Sequence, residues 1–225
     1  MTKTYTIAVL GGTGNEGRGL ALRWAKAGHK VILGSRQPDR AEASAAEMNQ
    51  RLGQTNVSGA SNNDAARAAD IVVLTVPHSA QRPTVEAVRN ELSGKILVDA
   101  TVPLVPPKVS RVQLPAGGSA VAAIQALLGA DVRVVSAFQN VSAHHLKDLD
   151  HHVECDVLVC GDDAAARDIV IGLAADIGLR AFHAGPIANS AAAEALTSIL
   201  ISINIRYKSA GSGIRITGLP ASAGS

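Results

Sequence analysis

A short apolar run, Ile7 to Leu10, leads into Gly12-Thr13-Gly14-Asn15-Glu16-Gly17, and the residues after it have helical spacing. This GxGxxG at a strand-to-helix joint is what most narrows the folds open to the chain. Gly12 is expected to make the tight turn, Gly14 to let a pyrophosphate reach the backbone, and Gly17 to let helix and strand pack closely. The free N–H groups of the helix start would receive the anion. The competing reading is an ordinary tight turn, which a βαβ context argues against.

The end of the second strand decides which dinucleotide such a turn serves. An NAD site presents a carboxylate there to the ribose 2′-hydroxyl. Between Gly17 and Asp39 this chain has no acidic residue, and the strand ends in Gly34-Ser35-Arg36 with Arg40 close behind. Ser35 can hydrogen-bond a 2′-phosphate, while Arg36 and Arg40 supply charge and planar donors. The pattern predicts NADP(H), with two solvated surface arginines as the bland alternative.

The rest of the chain continues the rhythm. Strands are expected at 5–10, 30–34, 57–59, 71–76, 96–100 and 132–137. Helices are expected at 15–27, with Leu20, Trp24 and Ala27 on its apolar stripe, then at 41–52, 62–69, 81–92 and 119–128. With 225 residues, 47% hydrophobic but only 2% aromatic, the core must be aliphatic, as helix-covered parallel sheets are. The fold class that follows is α/β: a Rossmann-type, doubly wound, mostly parallel sheet over residues 1–144, with a C-terminal α/β extension over 145–225 packed on it. That extension holds strands near 156–160 and 179–183, helices at 164–177 and 189–207, and a Gly/Ser/Ala-rich tail from Lys208 whose extreme end is expected to be loose. Leu196, Ile199, Leu200, Ile201, Ile203 and Ile205 point nearly all round the last helix. It should therefore plug the domain or pack on another subunit, making a homodimer or higher homo-oligomer. The Pro/Gly-rich stretch 101–118 follows a strand's carboxyl end and reads as an active-site loop.

A net charge of +2, from 21 Lys and Arg against 19 Asp and Glu, gives no reason to expect nucleic acid as a partner. With neither a secretion signal nor a membrane span in the sequence, a soluble cytoplasmic protein is expected. Cys155 and Cys160 fit neither a redox pair nor a zinc half-site, and read as buried thiols. His144, His145, His151 and His152 lack the spacing of common zinc motifs, so no metal is expected. His78 is either near the cofactor or a helix start. Asp99 and Thr101 either orient a nicotinamide amide or make a structural hydrogen bond, and Asp162 and Asp163 read as a helix cap.

Beyond these local signals, IAVLGGTGNEGRGLALRWAKAGHKVILGSR at 7–36, DIVVLTVP at 70–77, VVSAFQNVSA at 134–143, CDVLVCGDD at 155–163, AGPIANS at 184–190 and LTSILISINIRYKSAGSGIRITGL at 196–219 together resemble the NADPH-dependent coenzyme F420 reductases. The resemblance spans almost the whole chain. It implies reversible hydride exchange between NADP(H) and coenzyme F420, both small-molecule partners. It also implies that Thr13, Gly14, Asn15 and Glu16 wrap the pyrophosphate, that Ser35, Arg36 and Arg40 hold the 2′-phosphate, and that Val76, Val102 and Ala143 line the nicotinamide side. The two rings would meet along Gln139 to Ala143, with Gln139, Asn140 and Val141 toward the second cofactor.

Hydride transfer needs two rings aligned face to face in a dry pocket rather than a nucleophile, so no dedicated acid or base is expected. F420 carries a phosphate and an acidic tail, which Arg206, Lys208 and Arg215 are candidates to meet. Three classes stay open at this stage: the F420 reductase; an NADPH-dependent reductase of another flavin, a metal chelate or a small carbonyl; and a non-catalytic NADP-binding redox sensor. The carbonyl reading lacks the Tyr-x-x-x-Lys pair it would want, since Tyr5 and Tyr207 are the only tyrosines.

Overall fold

The computed structural model describes residues 3–220; the last residues of the tail expected to be loose lie outside them. Eight strands form one sheet in the order β3-β2-β1-β4-β5-β6-β7-β8. They are β1 (Thr6–Leu10), β2 (Lys30–Ser35), β3 (Val57–Ser61), β4 (Ile71–Leu74), β5 (Ile96–Asp99), β6 (Arg133–Ser136), β7 (Val157–Gly161) and β8 (Ala181–His183). The first six are parallel; β7 runs antiparallel to β6 and β8 parallel to β7. The helices are α1 (Asn15–Lys26), α2 (Pro38–Leu52), α3 (Asn62–Ala68), α4 (His78–Val88), α5 (Ala120–Leu128), α6 (Ala143–Leu146), α7 (Ala164–Asp176) and α8 (Ser190–Tyr207).

Alternation along the central strands explains why the sheet is covered on both faces. Ile7 and Val9 of β1 point into one core with Leu20, Trp24 and Leu173, whereas Ala8 and Leu10 point into a second core with Val85, Leu97 and Val121. Burying each such Leu or Val is worth ~1.5–3 kcal/mol, and a strand apolar on both faces can only sit mid-sheet. Trp24 anchors the first core: its indole N–H donates to Leu173 O at 2.9 Å and its ring meets Phe138 edge-on at 5.8 Å. Gly53 ends α2 in the left-handed region at φ 63.

Several boundaries differ from the sequence expectation. Ala27 lies outside α1 and is exposed, because Gly28 at φ 97 turns the chain toward β2. The fourth helix starts at His78 rather than Gln81 and accommodates Pro83 in its second turn. The short helix α6 was not foreseen. The helix α8 does not plug the domain: its buried residues are Ser190, Ala193, Glu194, Ser198 and Leu200, while Ile199, Ile203, Ile205 and Tyr207 are exposed. Its small and polar side chains, not its isoleucines, fit the tight space against the rest of the chain. Among the described residues no helix is long and apolar enough to cross a membrane.

Candidate functional site

Strands β1 and β4 leave the sheet centre in opposite chain directions of connection, β1 toward β2 and β4 toward β5, and the crevice at their carboxyl ends is the place where such sheets bind ligands. The glycine turn lies there. Its left-handed residue is Gly11, at φ 82, rather than Gly12, so the expectation that Gly12 makes the turn is corrected. Gly12 is required by crowding instead: a Cβ there would lie 2.8 Å from Val9 O and 2.9 Å from Leu33 Cδ2. Gly17 allows α1 to press onto the turn, since its Cβ would overlap Thr75 Oγ1 and lie 2.9 Å from Gly11 O. Thr75 in turn bonds Leu10 O through Oγ1 at 3.0 Å, tying β4 to the turn. Gly14 precedes α1 with no side-chain cap, so the first-turn N–H groups point into the crevice unopposed.

Two clefts open from this point. The first, about 630 Å³, is lined by Thr13 and Gly14 of the turn, by Ser35, Arg36 and Arg40 at the end of β2, and by Asn62. Ser35 Oγ accepts the Gln37 N–H at 3.1 Å, which leaves its proton free for another acceptor. Neither Arg36 nor Arg40 forms an ion pair among the described residues. Asn62 Oδ1 is buried without a hydrogen-bond partner, an acceptor awaiting a donor. The residue was not singled out by sequence, since an Asn at a helix start reads as a capping residue.

The second cleft, about 680 Å³, runs from the same turn under the proline loop and is walled by Val76, Val102, Leu104, Val105 and Val141, with Gln139 and Thr197 at its end. Both clefts share Gly14, Thr75, Val76 and Pro77. Asn15 and Glu16 line the second cleft rather than the first, so Glu16 stands among apolar walls and not in the cleft of Ser35, Arg36 and Arg40. Burial, and after it the charge of Asp99, pushes the Glu16 carboxyl up to about 8. Ala143 begins α6 and is not on the wall of either cleft.

Gln139 and Asn140 are both buried and both carry an unmatched carbonyl oxygen. Gln139 Nε2 donates to Asp99 O at 2.7 Å and Ser136 Oγ at 2.8 Å, which fixes the amide and leaves Oε1 unpaired. Asn140 Nδ2 donates to Asp156 O at 2.7 Å and Cys155 Sγ at 3.1 Å, leaving Oδ1 unpaired; the residue lines a side pocket of about 140 Å³ beside Ser142, Leu200 and Asn204 rather than the main cleft. Thr197, unremarked in the sequence, donates to Gln139 O at 2.7 Å and holds α8 at the cleft. Its signal was hidden because a Thr within an apolar helix has no motif.

Other candidates resolve differently. The Asp99 carboxylate accepts from Gln81 Nε2 at 2.6 Å and the Thr101 N–H at 2.9 Å, a structural bond; burial foremost drives its pKa up. His78 heads α4 and also lines the second cleft. Asp163 caps α7 by accepting Ala166 N–H at 2.7 Å, whereas Asp162 holds the Ile187 N–H. His145 and His151 stack at 4.2 Å, and His145 Nε2 lies 3.1 Å from Gly211 O; no group of three His, Cys, Asp or Glu among the described residues is placed to hold a metal. Both cysteines are free and buried, and burial drives Cys160 up to about 11. Arg206 and Lys208 are exposed at the end of α8, away from both clefts, and Arg215 faces Asp156 at 3.9 Å.

A doubly wound sheet with a glycine turn, an arginine-flanked cleft free of carboxylates and an adjoining apolar cleft defines a Rossmann-type nucleotide-binding protein. Residues 6–103 match the family model described as "NADP oxidoreductase coenzyme F420-dependent". The chain is 45% identical to the F420-dependent NADP reductase of Methanocaldococcus jannaschii and 42% identical to that of Methanothermobacter thermautotrophicus, over 95% of this chain and 98% and 95% of theirs. The crystal structure of a putative F420-dependent NADP reductase from Arthrobacter sp. FB24 superposes with a TM-score of 0.78 at 28% identity, covering 95% of this chain and 100% of that one. The chain belongs to the F420-dependent NADP reductase family.

Proposed function

We propose that this protein exchanges hydride reversibly between NADP(H) and a deazaflavin of the coenzyme F420 type. The observation that carries the reading is the seam between the two clefts, which share Gly14, Thr75, Val76 and Pro77; on this reading a nucleotide lies along the glycine turn with its 2′-phosphate end at Ser35, Arg36 and Arg40 and its nicotinamide end at Val76. When bound, NADPH supplies the hydride and the deazaflavin accepts it. The chain's own contribution is alignment and exclusion of water. Gly11, Gly12 and Gly17 let the turn and α1 pack tightly, which leaves the uncapped first-turn N–H groups of α1 for the pyrophosphate, and the two arginines neutralise the extra phosphate. Val76, Val102 and Val141 give both rings a dry wall, which holds reacting carbons near contact distance.

The unpaired oxygens fit this assignment chemically. Asn62 Oδ1 meets a donor such as an adenine amino group, and Gln139 Oε1 a ring or carboxamide N–H. The exposed Ile199, Ile203, Ile205 and Tyr207 of α8 support a homo-oligomer built on that face. The test is to mix the protein with NADPH and oxidised F420 and follow the absorbance of each, with NADH and FMN in parallel. Turnover confined to the NADPH–F420 pair is expected; equal rates with NADH or with FMN overturn it.

A further inference from the structure

The histidines between 144 and 152 line neither cleft, yet three of them share one cavity. A pocket of about 440 Å³ is walled by His145, His151 and His152, by Ser142, and by Gly211 and Gly213 beyond α8. Bonds far apart in the chain fix these walls. The buried Arg23 of α1 donates through Nε to Leu146 O at 2.9 Å and through Nη2 to His145 O at 3.2 Å, Asp148 O at 2.6 Å and His151 O at 3.0 Å, so the histidine loop is held at four carbonyls. From the other side the chain after α8 presses close. A Cβ on Gly211 would lie 2.6 Å from both His145 Cδ2 and Ser142 Oγ, and one on Gly213 would lie 2.9 Å from Cys155 Sγ. Between them the Ser212 N–H donates to Asn204 Oδ1 at 2.7 Å, tying this segment to α8.

The pocket is rich in imidazoles. His145 and His151 stack at 4.2 Å, and His145 Nε2 meets Gly211 O at 3.1 Å. A carbonyl only accepts, so Nε2 carries the proton there and Nδ1 is the atom that a second proton would take. His152 is exposed at the rim. Glu154 is the one carboxylate on the wall; it is exposed, and no ion pair among the described residues joins it to a histidine. Asp156, next in the chain to Cys155, is spent on Arg180, and His144, Lys147, Asp148 and Asp150 lie on the same loop but not on the wall. Three imidazoles against one carboxylate, with no group of three His, Cys, Asp or Glu among the described residues placed to hold a metal, suit an anion rather than a cation.

Position decides which anion. Gln139, Val141 and Thr197 of the second cleft also line the side pocket of about 140 Å³, and that side pocket shares Ser142 and Ser212 with the histidine pocket. The three cavities follow one another along common walls: Val141 faces the cleft, and the next residue, Ser142, faces the histidines. Arg206, Lys208 and Arg215 line none of the three. We propose that the histidine pocket receives the phosphate and acidic tail of the second cofactor while the ring lies in the second cleft. This rests on the reading of that cleft as the deazaflavin site. The part of the cofactor that joins ring to phosphate passes Ser142 and Ser212, and the anion takes N–H bonds from His151 and His152, which its own charge helps to keep protonated.

The test needs no turnover. Equilibrium titrations with oxidised F420, and with the same deazaflavin cut off before its phosphate, are followed by cofactor fluorescence in the presence of NADP⁺. The unaltered protein is expected to bind F420 about tenfold or more tightly than the truncated form, the worth of a charge-assisted hydrogen bond. His152→Glu, placed at the exposed rim where the fold is not at stake, should erase that preference, and the double change His151→Ala with His152→Ala should reduce it about tenfold. His152→Arg should keep it. Affinity for the truncated form should stay the same in every variant, and inorganic phosphate should compete with F420 but not with the truncated form. Equal affinities for the two ligands in the unaltered protein overturn the proposal and leave the cleft assignment standing. Equal losses for both ligands in the variants, or a preference that survives His152→Glu and the double change, do the same. Binding of neither deazaflavin overturns it together with the functional reading.

Discussion

The carboxylate of Asp156, sealed from solvent, is gripped by Arg180 through Nε at 2.9 Å and Nη2 at 2.6 Å, and the same carboxylate accepts the Ile216 N–H at 2.6 Å. With Asp156 N–H donating to Ile214 O at 2.9 Å, this one residue pins the chain beyond α8 to the end strands of the sheet. Asp156→Asn removes the charge but keeps the shape. We expect a loss on the order of 2–3 kcal/mol, typical of a buried partner left unmatched, read by denaturant unfolding, with faster proteolysis between residues 208 and 220.

The same pair sets an acid limit. Burial opposes the charge on Asp156, but the hydrogen bonds from Arg180 and the Ile216 amide, with the charges of Arg180 and Arg215, outweigh it and hold its pKa below the ordinary carboxylate value. A depressed folded pKa means the contribution is complete above the unfolded pKa of ~3.9 and is lost as pH falls through the lower folded value. Unfolding free energy followed from pH 6 to pH 3 should therefore drop more steeply in the native sequence than in Asp156→Asn. Parallel curves would remove Asp156 from the explanation.

Arg36 and Arg40 are exposed and line the cleft beyond Ser35, and no carboxylate among the described residues is paired to them. Replacing either by Ala should weaken NADPH binding about 10-fold, the worth of a charge-assisted hydrogen bond to phosphate. NADH lacks the phosphate and should bind as before. Fluorescence titration with both nucleotides checks this, and equal losses for the two would show that the arginines act on something other than the 2′-phosphate.

Much of this site could be read from the sequence because it is made by the backbone near one turn. Gly14, Ser35 and Arg36 are fixed by local order, so their meeting in one cleft was legible. The left-handed glycine was misplaced by one residue because Gly11 and Gly12 are adjacent, and only the packing of Val9 and Leu33 distinguishes them. The orientation of α8 was not legible: an isoleucine-rich helix looks buried, yet the residues it buries are Ser190, Ala193, Glu194, Ser198 and Leu200. Glu16 was assigned to the phosphate side because its neighbours Thr13 and Gly14 are there. The helical turn swings it instead into the cleft formed with β4 and β6, and that depends on contacts 60 to 120 residues away in the chain.

Glu194 shows the same kind of long-range dependence. From α8 it accepts Ala120 N–H at 2.8 Å, Val121 N–H at 3.1 Å and Ser119 Oγ at 2.6 Å, capping α5 where the proline loop ends. Glu194→Ala leaves these buried donors unmatched, for an expected loss of about 3 kcal/mol. The loop at 101–118 should also become more susceptible to limited proteolysis. NADPH affinity should change little.

Gln139 links the sheet to the second cleft, since its amide nitrogen is held by Asp99 O and Ser136 Oγ while its oxygen is unpaired. Gln139→Glu preserves size but replaces the donor with a carboxylate facing two acceptors, which must repel it or force it to take a proton. Gln139→Met removes both polar atoms at similar volume and leaves Asp99 O and Ser136 Oγ without their donor, at a cost of about 1–3 kcal/mol of stability. If Oε1 receives a hydrogen bond from the second cofactor, Gln139→Met, still folded though less stable, should keep its NADPH affinity and raise the KM for F420 by about 10-fold, the value of one buried hydrogen bond. A lower kcat at unchanged KM would instead place Gln139 in ring alignment, because that pattern marks an interaction made only in the transition state. Steady-state rates at saturating NADPH with varied F420 separate the two outcomes, and an unchanged KM and kcat would leave the orphan oxygen without a ligand to explain it.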